Sequence, residues 1–534
     1  MMGRNLGQAA LRWGVTTPFT VAAASVNATT VQYLMNQYIS SSNLWSPARH
    51  PRTASVEKPK TPNANENASQ DRTRSSDRRS VFQHDYDRLL FSTPVRRLAD
   101  KTQVWPMDEN DGVRTRLTHS HEVANLARSI GTRVYHEKKE CFERSGIGVD
   151  GLLNIIQPIL LSTGLGHDLG NPPFGHQGEA AIGHWFVRRS EWIFSKAYSG
   201  SDGLGPSQGV PEELRSEFTQ FDGNPQALRL LTRLQTHVDG IGLDLSAATL
   251  AAGLKYPVCF SNVDKDNLIK KKGGYFSSEQ GVVDWIREQT GLREGQRHPL
   301  TWIMEACDDI AYSVLDVDDV MKKELMSPED VFVILRRCIP DDPVIGDIIK
   351  KFSIVESKDL HPATQRDVNI QYLRAIFIEA LVAHASNQFI KNSSGIFNFS
   401  HEVPLMDNSN LCDVLKGLAK RYAFNNPMVL KAEALGAAAL DGLMSAFWSA
   451  ISDRKNIEDI ESKKLSARSS YIFSLISPNY IQQAKVVENN GSASSGIRYR
   501  ELRLLTDMVS GMTDTYAMRL WGEIQKLPYA NGSK

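Results

Sequence analysis

Apolar residues recur every three or four positions along most of the chain after residue 80, the period of helices with one buried face. In "THSHEVANLARSIGTRVY" the stripe is Val123, Leu126, Ala127, Ile130 and Val134. In "RHPLTWIMEACDDIAYSVLDVDDVMKK" it is Ile303, Cys307, Ile310, Val314 and Val317, with Pro299 suited to the first turn. The same period predicts helices over about 225–234, 328–338, 368–387, 411–422 and 427–452, and a last one through "RELRLLTDMVSGMTDTYAMRLWGEIQKL". Strand-like alternation is sparse and no repeat is present. "KKKGGYFSSE" and "VENNGSASSGIRY" read as loops from their Gly, Ser and Asn content. The expected class is all-α, a large helical fold with short loops or a minor hairpin.

One stretch breaks the pattern. Between the apolar run "LLNIIQPILL" and the helical "GEAAIGHWFVRR" lies "STGLGHDLGNPPFGHQGEAAI", where Gly164, Gly166, Gly170, Pro172, Pro173 and Gly175 shape backbone rather than fill a core. Ordering such a loop is costly, and polar residues on ordered loops between helices often carry function.

At the other extreme, residues 46–80 hold almost no large apolar side chains and cannot bury enough surface to offset their ordering entropy. The first acidic residue is Glu57, and the Arg-, Ser-, Thr- and Ala-rich stretch before it is transit-peptide-like in composition, although a disordered extension is the favoured reading. The expected organisation is a leader and linker over 1–80, a helical core over 81–325 that holds the loop, and a C-terminal helical part over 326–534.

Composition adds exclusions. Of 534 residues 41% are hydrophobic and 23% charged, with net charge zero, so global charge gives no argument for nucleic-acid or membrane binding. The cysteines, Cys141, Cys259, Cys307, Cys338 and Cys412, form no CxxC pair, which points to a reducing, cytoplasmic setting and away from a thiolate zinc site. No apolar run reads as a membrane span, so no membrane partner is expected.

His167 and Asp168 are adjacent where the apolar run meets the loop, and an imidazole beside a carboxylate suits a divalent cation. An HD dipeptide alone is a weak signal. It strengthens with His119 upstream on an amphipathic helix and Asp308 or Asp309 downstream on a helix whose stripe is meant for burial, since a buried carboxylate needs a partner. His121, two residues from His119, points elsewhere on the helix and reads as an ordinary polar residue.

In this order the residues resemble the HD phosphohydrolase superfamily, and most closely its deoxyguanosine triphosphate triphosphohydrolase branch. The resemblance is carried by "FSTPVRRLADKTQVWP", "RTRLTHSHEVANLARSIG", "GHDLGNPPFGHQGEAAI", "FDGNPQALRLLTRLQ", "AATLAAGLKYP", "RHPLTWIMEACDDIAYSVLDVDD" and "DMVSGMTDTYA", which span roughly 85 to 520. It implies His119, His167, Asp168 and Asp308 as ligands of a divalent metal ion, with Mn2+ and Mg2+ among the ions that this N/O set accepts. Asp308 is preferred to Asp309 because it shares a helical face with Tyr312.

The resemblance further implies His176 and Glu179 as catalytic histidine and supporting acid. It implies Arg116, Lys255, Tyr256 and Lys272 around the triphosphate, Gln103 near the nucleoside, Tyr312 against the deoxyribose, and Arg503 as a further phosphate contact. The implied activity is hydrolysis of dGTP, or other dNTPs, to deoxynucleoside and triphosphate. The implied assembly is a homo-oligomer, often a hexamer, with room for a nucleotide or single-stranded DNA effector. The rival readings are another HD nucleotidase or a guanosine tetraphosphate hydrolase, which would share the ligands but not "NPPFGHQGE", and a non-catalytic nucleic-acid-binding scaffold.

Overall fold

The computed structural model describes residues 44–51, 78–108, 112–195, 209–236, 240–356, 361–486 and 496–528. Among them there is no β-strand, only isolated bridges such as Thr102 with Thr115 and Cys259 with Tyr275. The all-α expectation holds, and no hairpin forms among the described residues.

The helices that frame the site are α1 (Val81–Leu90), α2 (Arg116–Glu137), α3 (Gln157–Gly166), α4 (Gly175–Val187), α5 (Gly223–Arg229), α6 (Ala247–Gly253) and α7 (Pro299–Lys322). Beyond them lie α8 (Pro362–Phe397), α9 (Pro427–Ser452), α10 (Ile497–Ser510) and α11 (Asp514–Gln525). The stripe read on α2 is buried throughout, and so is that on α7. α3 is the hub: α1, α2, α6 and α7 all pack on it. At Gly164 of α3 an added Cβ would lie 2.5 Å from the Ala124 Cα of α2, so these two helices touch backbone to backbone one turn before His167.

Three apolar cores result among the described residues, a small one around Leu89 and Leu165 and two large ones. The larger joins α2, α3, α6, α7 and α8 and takes residues from both sides of position 325. The second gathers α4 with α9, α10 and α11, so a helix of the central loop region is packed by the C-terminal end of the chain.

Several local readings change. Residues 44–51 lie inside the stretch expected to be leader and linker, yet Leu44 and Trp45 are buried in the larger core. Arg49 pairs with Asp85 at 2.9 Å. Two apolar residues have no period to read, so the pattern missed them. The rest of that leader and linker, 1–43 and 52–77, and most of the "VENNGSASSGIRY" loop lie outside the described residues. The last helix is two, α10 and α11, parted at Gly511, with the Thr513 side chain accepting from the Tyr516 N–H. A helix over Pro343–Glu356 was not foreseen.

By length and composition α9 could cross a membrane, with a window of mean hydropathy 1.4, contrary to the reading from sequence. Its alanines raise that mean, and half of the window is buried against protein. α4, α10 and α11 pack on it.

Candidate active site and metal centre

The site begins at the first turn of α2. Thr115 caps it, accepting from the Thr118 N–H, and this sets Arg116 and His119 three residues apart on one face. His119 is wholly buried and neither ring nitrogen has a hydrogen-bond partner. α3 ends at Gly166, and His167 Nδ1 lies 2.7 Å from the Gly164 carbonyl, which fixes Nδ1 as the donor. Nε2 is then the free lone pair, and it too lacks a partner.

These nitrogens converge on carboxylates. Asp308 Oδ1 stands 3.5 Å from His119 Nε2 and 3.4 Å from His167 Nε2, and Asp168 Oδ1 is 3.6 Å from His167 Nε2. Such spacings suit donors that share one divalent ion at bonds of about 2.1 Å. Leaving a buried nitrogen unsatisfied costs about 1–3 kcal/mol, so the Nε2 atoms of His119 and His167, both unpartnered beside Asp308, argue for a ligand that they bind. The donor set fits a divalent metal. Asp309, the alternative, turns to Lys416 at 2.9 Å, and His121 is exposed.

Cations surround the carboxylates. Arg116 Nη1 donates to Asp168 Oδ2 at 2.6 Å, and Asn171 Nδ2 to Asp168 Oδ1 at 2.7 Å. Burial opposes ionisation of Asp168, but Arg116, His167 and His119 together outweigh it and hold the carboxyl well below its usual range. Lys255 Nζ, 3.4 Å from Asp308 Oδ2, does the same for Asp308, with His167 adding to it.

The loop then makes a tight re-entry. Phe174 and Gly175 both take left-handed backbone, φ 63° and 55°. For phenylalanine that conformation is strained, and the Phe174 N–H is held by Asp514 Oδ1 at 3.0 Å. A Cβ at Gly175 would sit 2.4 Å from an Arg116 nitrogen, so glycine is required twice over. α4 follows, carrying His176 and Glu179.

Burial, then Arg116, lower the His176 pKa and favour its neutral form. Burial and Asp222 push Glu179 up to about 7. No hydrogen bond joins the two. Glu179 Oε1 accepts instead from the Gly223 N–H at 2.7 Å.

His176 stands where two cavities meet. One, of about 210 Å³, is lined by His167, Asp168, Asp308, Lys255, Tyr256 and Lys272. The other, of about 420 Å³, is lined by Gln103, Arg116, Tyr312, Phe424, Leu430 and Glu433. That volume is in the usual range for small-molecule sites, roughly 300–1,000 Å³. Tyr312 stacks on Phe424 at 5.4 Å and 14°, and Gln103 Oε1 is buried without a partner. Of the three consecutive lysines, Lys272 reaches the first cavity, whereas Lys270 packs at Gly295.

Arg503 is the exception among the expected residues. It is 2% exposed, bonds Glu217 at 2.8 Å and lies over the Phe276 ring at 3.6 Å, lining neither cavity. A helix-face pattern cannot tell a buried arginine from one aimed at a pocket. Reading the sequence also missed Phe424, Leu430 and Glu433, which lie on α9 or just before it and carry no local motif. It missed Lys101, whose buried ammonium ties Asn171 O to Ser510 O (2.5 and 3.0 Å) and so joins the metal loop to α10.

No family model matches the chain. It is 32% identical over 464 residues to a deoxyguanosinetriphosphate triphosphohydrolase-like protein of Listeria monocytogenes, covering 85% of this chain and 96% of that one. A Listeria innocua protein described in the same words matches equally. Over 481 residues it is 31% identical to a deoxyguanosinetriphosphate triphosphohydrolase of Yersinia pestis, covering 82% of this chain and 92% of that one.

Proposed function

Because the chain belongs to the deoxyguanosinetriphosphate triphosphohydrolase family, we propose that it hydrolyses dGTP to deoxyguanosine and triphosphate with a divalent metal ion held by His119, His167, Asp168 and Asp308. The observation that carries the metal is the buried His119 ring with both nitrogens unpartnered beside His167 Nε2 and Asp308. Manganese or magnesium suits this set of nitrogen and oxygen donors. When bound, the ion polarises the α-phosphate and helps to lower the pKa of water.

The chain supplies the rest. His176, kept neutral by burial and Arg116, takes the proton of the water that attacks the α-phosphorus, the bond to the 5′ oxygen breaks, and that proton passes to the departing 5′ oxygen as the deoxyguanosine hydroxyl. Glu179, held by the Gly223 N–H, supports the charge that His176 gains. Arg116, Lys255 and Lys272 meet the triphosphate charge, with Tyr256 beside them. Gln103 and Tyr312 receive the nucleoside in the larger cavity.

Base preference for dGTP follows from Glu433, the acidic side chain lining that cavity. Guanine offers adjacent N1–H and 2-amino donors to a carboxylate, whereas adenine presents an acceptor at N1. A homo-oligomer, with a hexamer as its expected form, and a cytoplasmic setting complete the reading. The unpaired state of all five cysteines supports that setting.

The direct test of the metal assignment is elemental analysis of purified His119→Ala and Asp308→Ala proteins. Both should lose bound metal and turnover together. Full metal content with wild-type rate in either would refute the ligand set.

A further inference from the structure

The turn that starts α5 was part of the resemblance, in "FDGNPQALRLLTRLQ", but no role follows for its first polar residue. We infer that Asp222 is a positioning residue: its carboxylate holds the Lys272 ammonium at the cavity that His176 and Glu179 share, while the next peptide N–H fixes Glu179. The inference rests on the hydrolytic reading above, and names what places two of its parts.

Both Asp222 oxygens are committed. Oδ1 accepts from the Asn224 N–H at 2.8 Å, capping α5, and from Asn224 Nδ2 at 2.7 Å. Oδ2 accepts from Lys272 Nζ at 2.5 Å. Asp222 is 5% exposed, so it is neither a free base nor an open metal ligand. Its neighbour Gly223 gives its N–H to Glu179 at 2.7 Å. A Cβ at Gly223 would fall 2.1 Å from Asn171 Oδ1 and 3.0 Å from Glu179 Oε1, so the turn is wedged between the metal loop and the dyad.

Lys272 needs such an anchor. It lies in a turn-rich segment outside any helix, and its side chain is 44% exposed. An ammonium carries three donors. One is used by Asp222, which leaves two for phosphate oxygens from a fixed position. Asp222, Glu179, Lys272 and His176 all line one cavity, of about 310 Å³, on this side of α4.

The test uses the full chain with manganese and Asp222→Asn, which keeps a good helix cap and removes the charge. Asp222→Ser also keeps a cap and serves as the second variant if the first does not fold. The expected result is a KM for dGTP raised about 10- to 100-fold, the range for one charge-assisted contact, with a smaller loss in kcat and little change in Tm. Asp222→Asn/Lys272→Met should be no worse than Lys272→Met alone. Calorimetry with inorganic triphosphate should show weakened binding in Asp222→Asn to a similar degree.

An unchanged KM with a lowered Tm, or losses that multiply in the double variant, would overturn the assignment and leave only a helix cap. The triphosphate arm does not depend on turnover. If wild-type protein binds triphosphate and Asp222→Asn does not, Asp222 retains its role even where dGTP proves not to be the substrate.

Discussion

The two walls of the pocket are held together by opposite means. On the metal wall, the Nε2 atoms of His119 and His167 are buried without hydrogen-bond partners, among carboxylates at 3.4 to 3.6 Å and flanked by Arg116 and Lys255. That wall is incomplete by its own hydrogen-bond accounting, and its donors fit a divalent ion. The nucleoside wall is assembled from Gln103, Tyr312, Phe424, Leu430 and Glu433, drawn from three distant segments and joined by stacking and packing. It depends on the fold. Damage to the first should therefore remove chemistry, and damage to the second should alter which substrate is preferred.

The largest effect should come from the metal wall. Asp168→Ala should bring turnover to background, because it removes an expected ligand and the partner of Arg116 at once. Steady-state assay with metal analysis checks this, and an active, metal-replete variant would break the contrast between the walls. Next is the junction: His176→Ala should cost roughly two to four decades in kcat while metal content stays near wild type. Glu179→Ala should cost less, and the double variant little more than His176→Ala alone. Loss of metal in His176→Ala would move that residue into the metal wall.

Smaller effects should follow on the nucleoside wall. Glu433→Gln should lower the ratio of kcat/KM for dGTP over dATP about tenfold or more, through a lost base contact, without changing metal content. An unaltered ratio would remove Glu433 from base recognition. The smallest effect is in pH dependence. Burial and Arg116 depress the His176 pKa, so its neutral, proton-accepting form persists as pH falls and is lost only below the ordinary value of 6.5. With metal occupancy held constant, the acid limb of kcat should lie below 6.5. A limb at or above that value would contradict a depressed His176 as the base.

The same contrast explains what could be read in advance. The helices α2 and α7 were legible because their stripes are buried throughout. The loop from Gly164 to His176 was legible because its glycines and prolines are local signals, and Gly175 meets both a left-handed φ and a close arginine. Phe424 and Glu433 were not, since what gathers them is the packing of α9 on α4, a contact between residues far apart in the chain. Arg503 shows the converse: in the sequence it reads as an available charge, and only the fold reveals Glu217 and Phe276 around it in the middle of α10. Leu44 and Trp45 were lost among polar neighbours, although they reach the core.

The measurement that bears most directly on the account is the identity of the products from dGTP and manganese, separated by ion chromatography. Cleavage at the 5′ oxygen predicts deoxyguanosine and intact triphosphate in equal amounts, with neither appearing in the Asp308→Ala protein. Formation of dGMP with pyrophosphate, or of dGDP with orthophosphate, would contradict it.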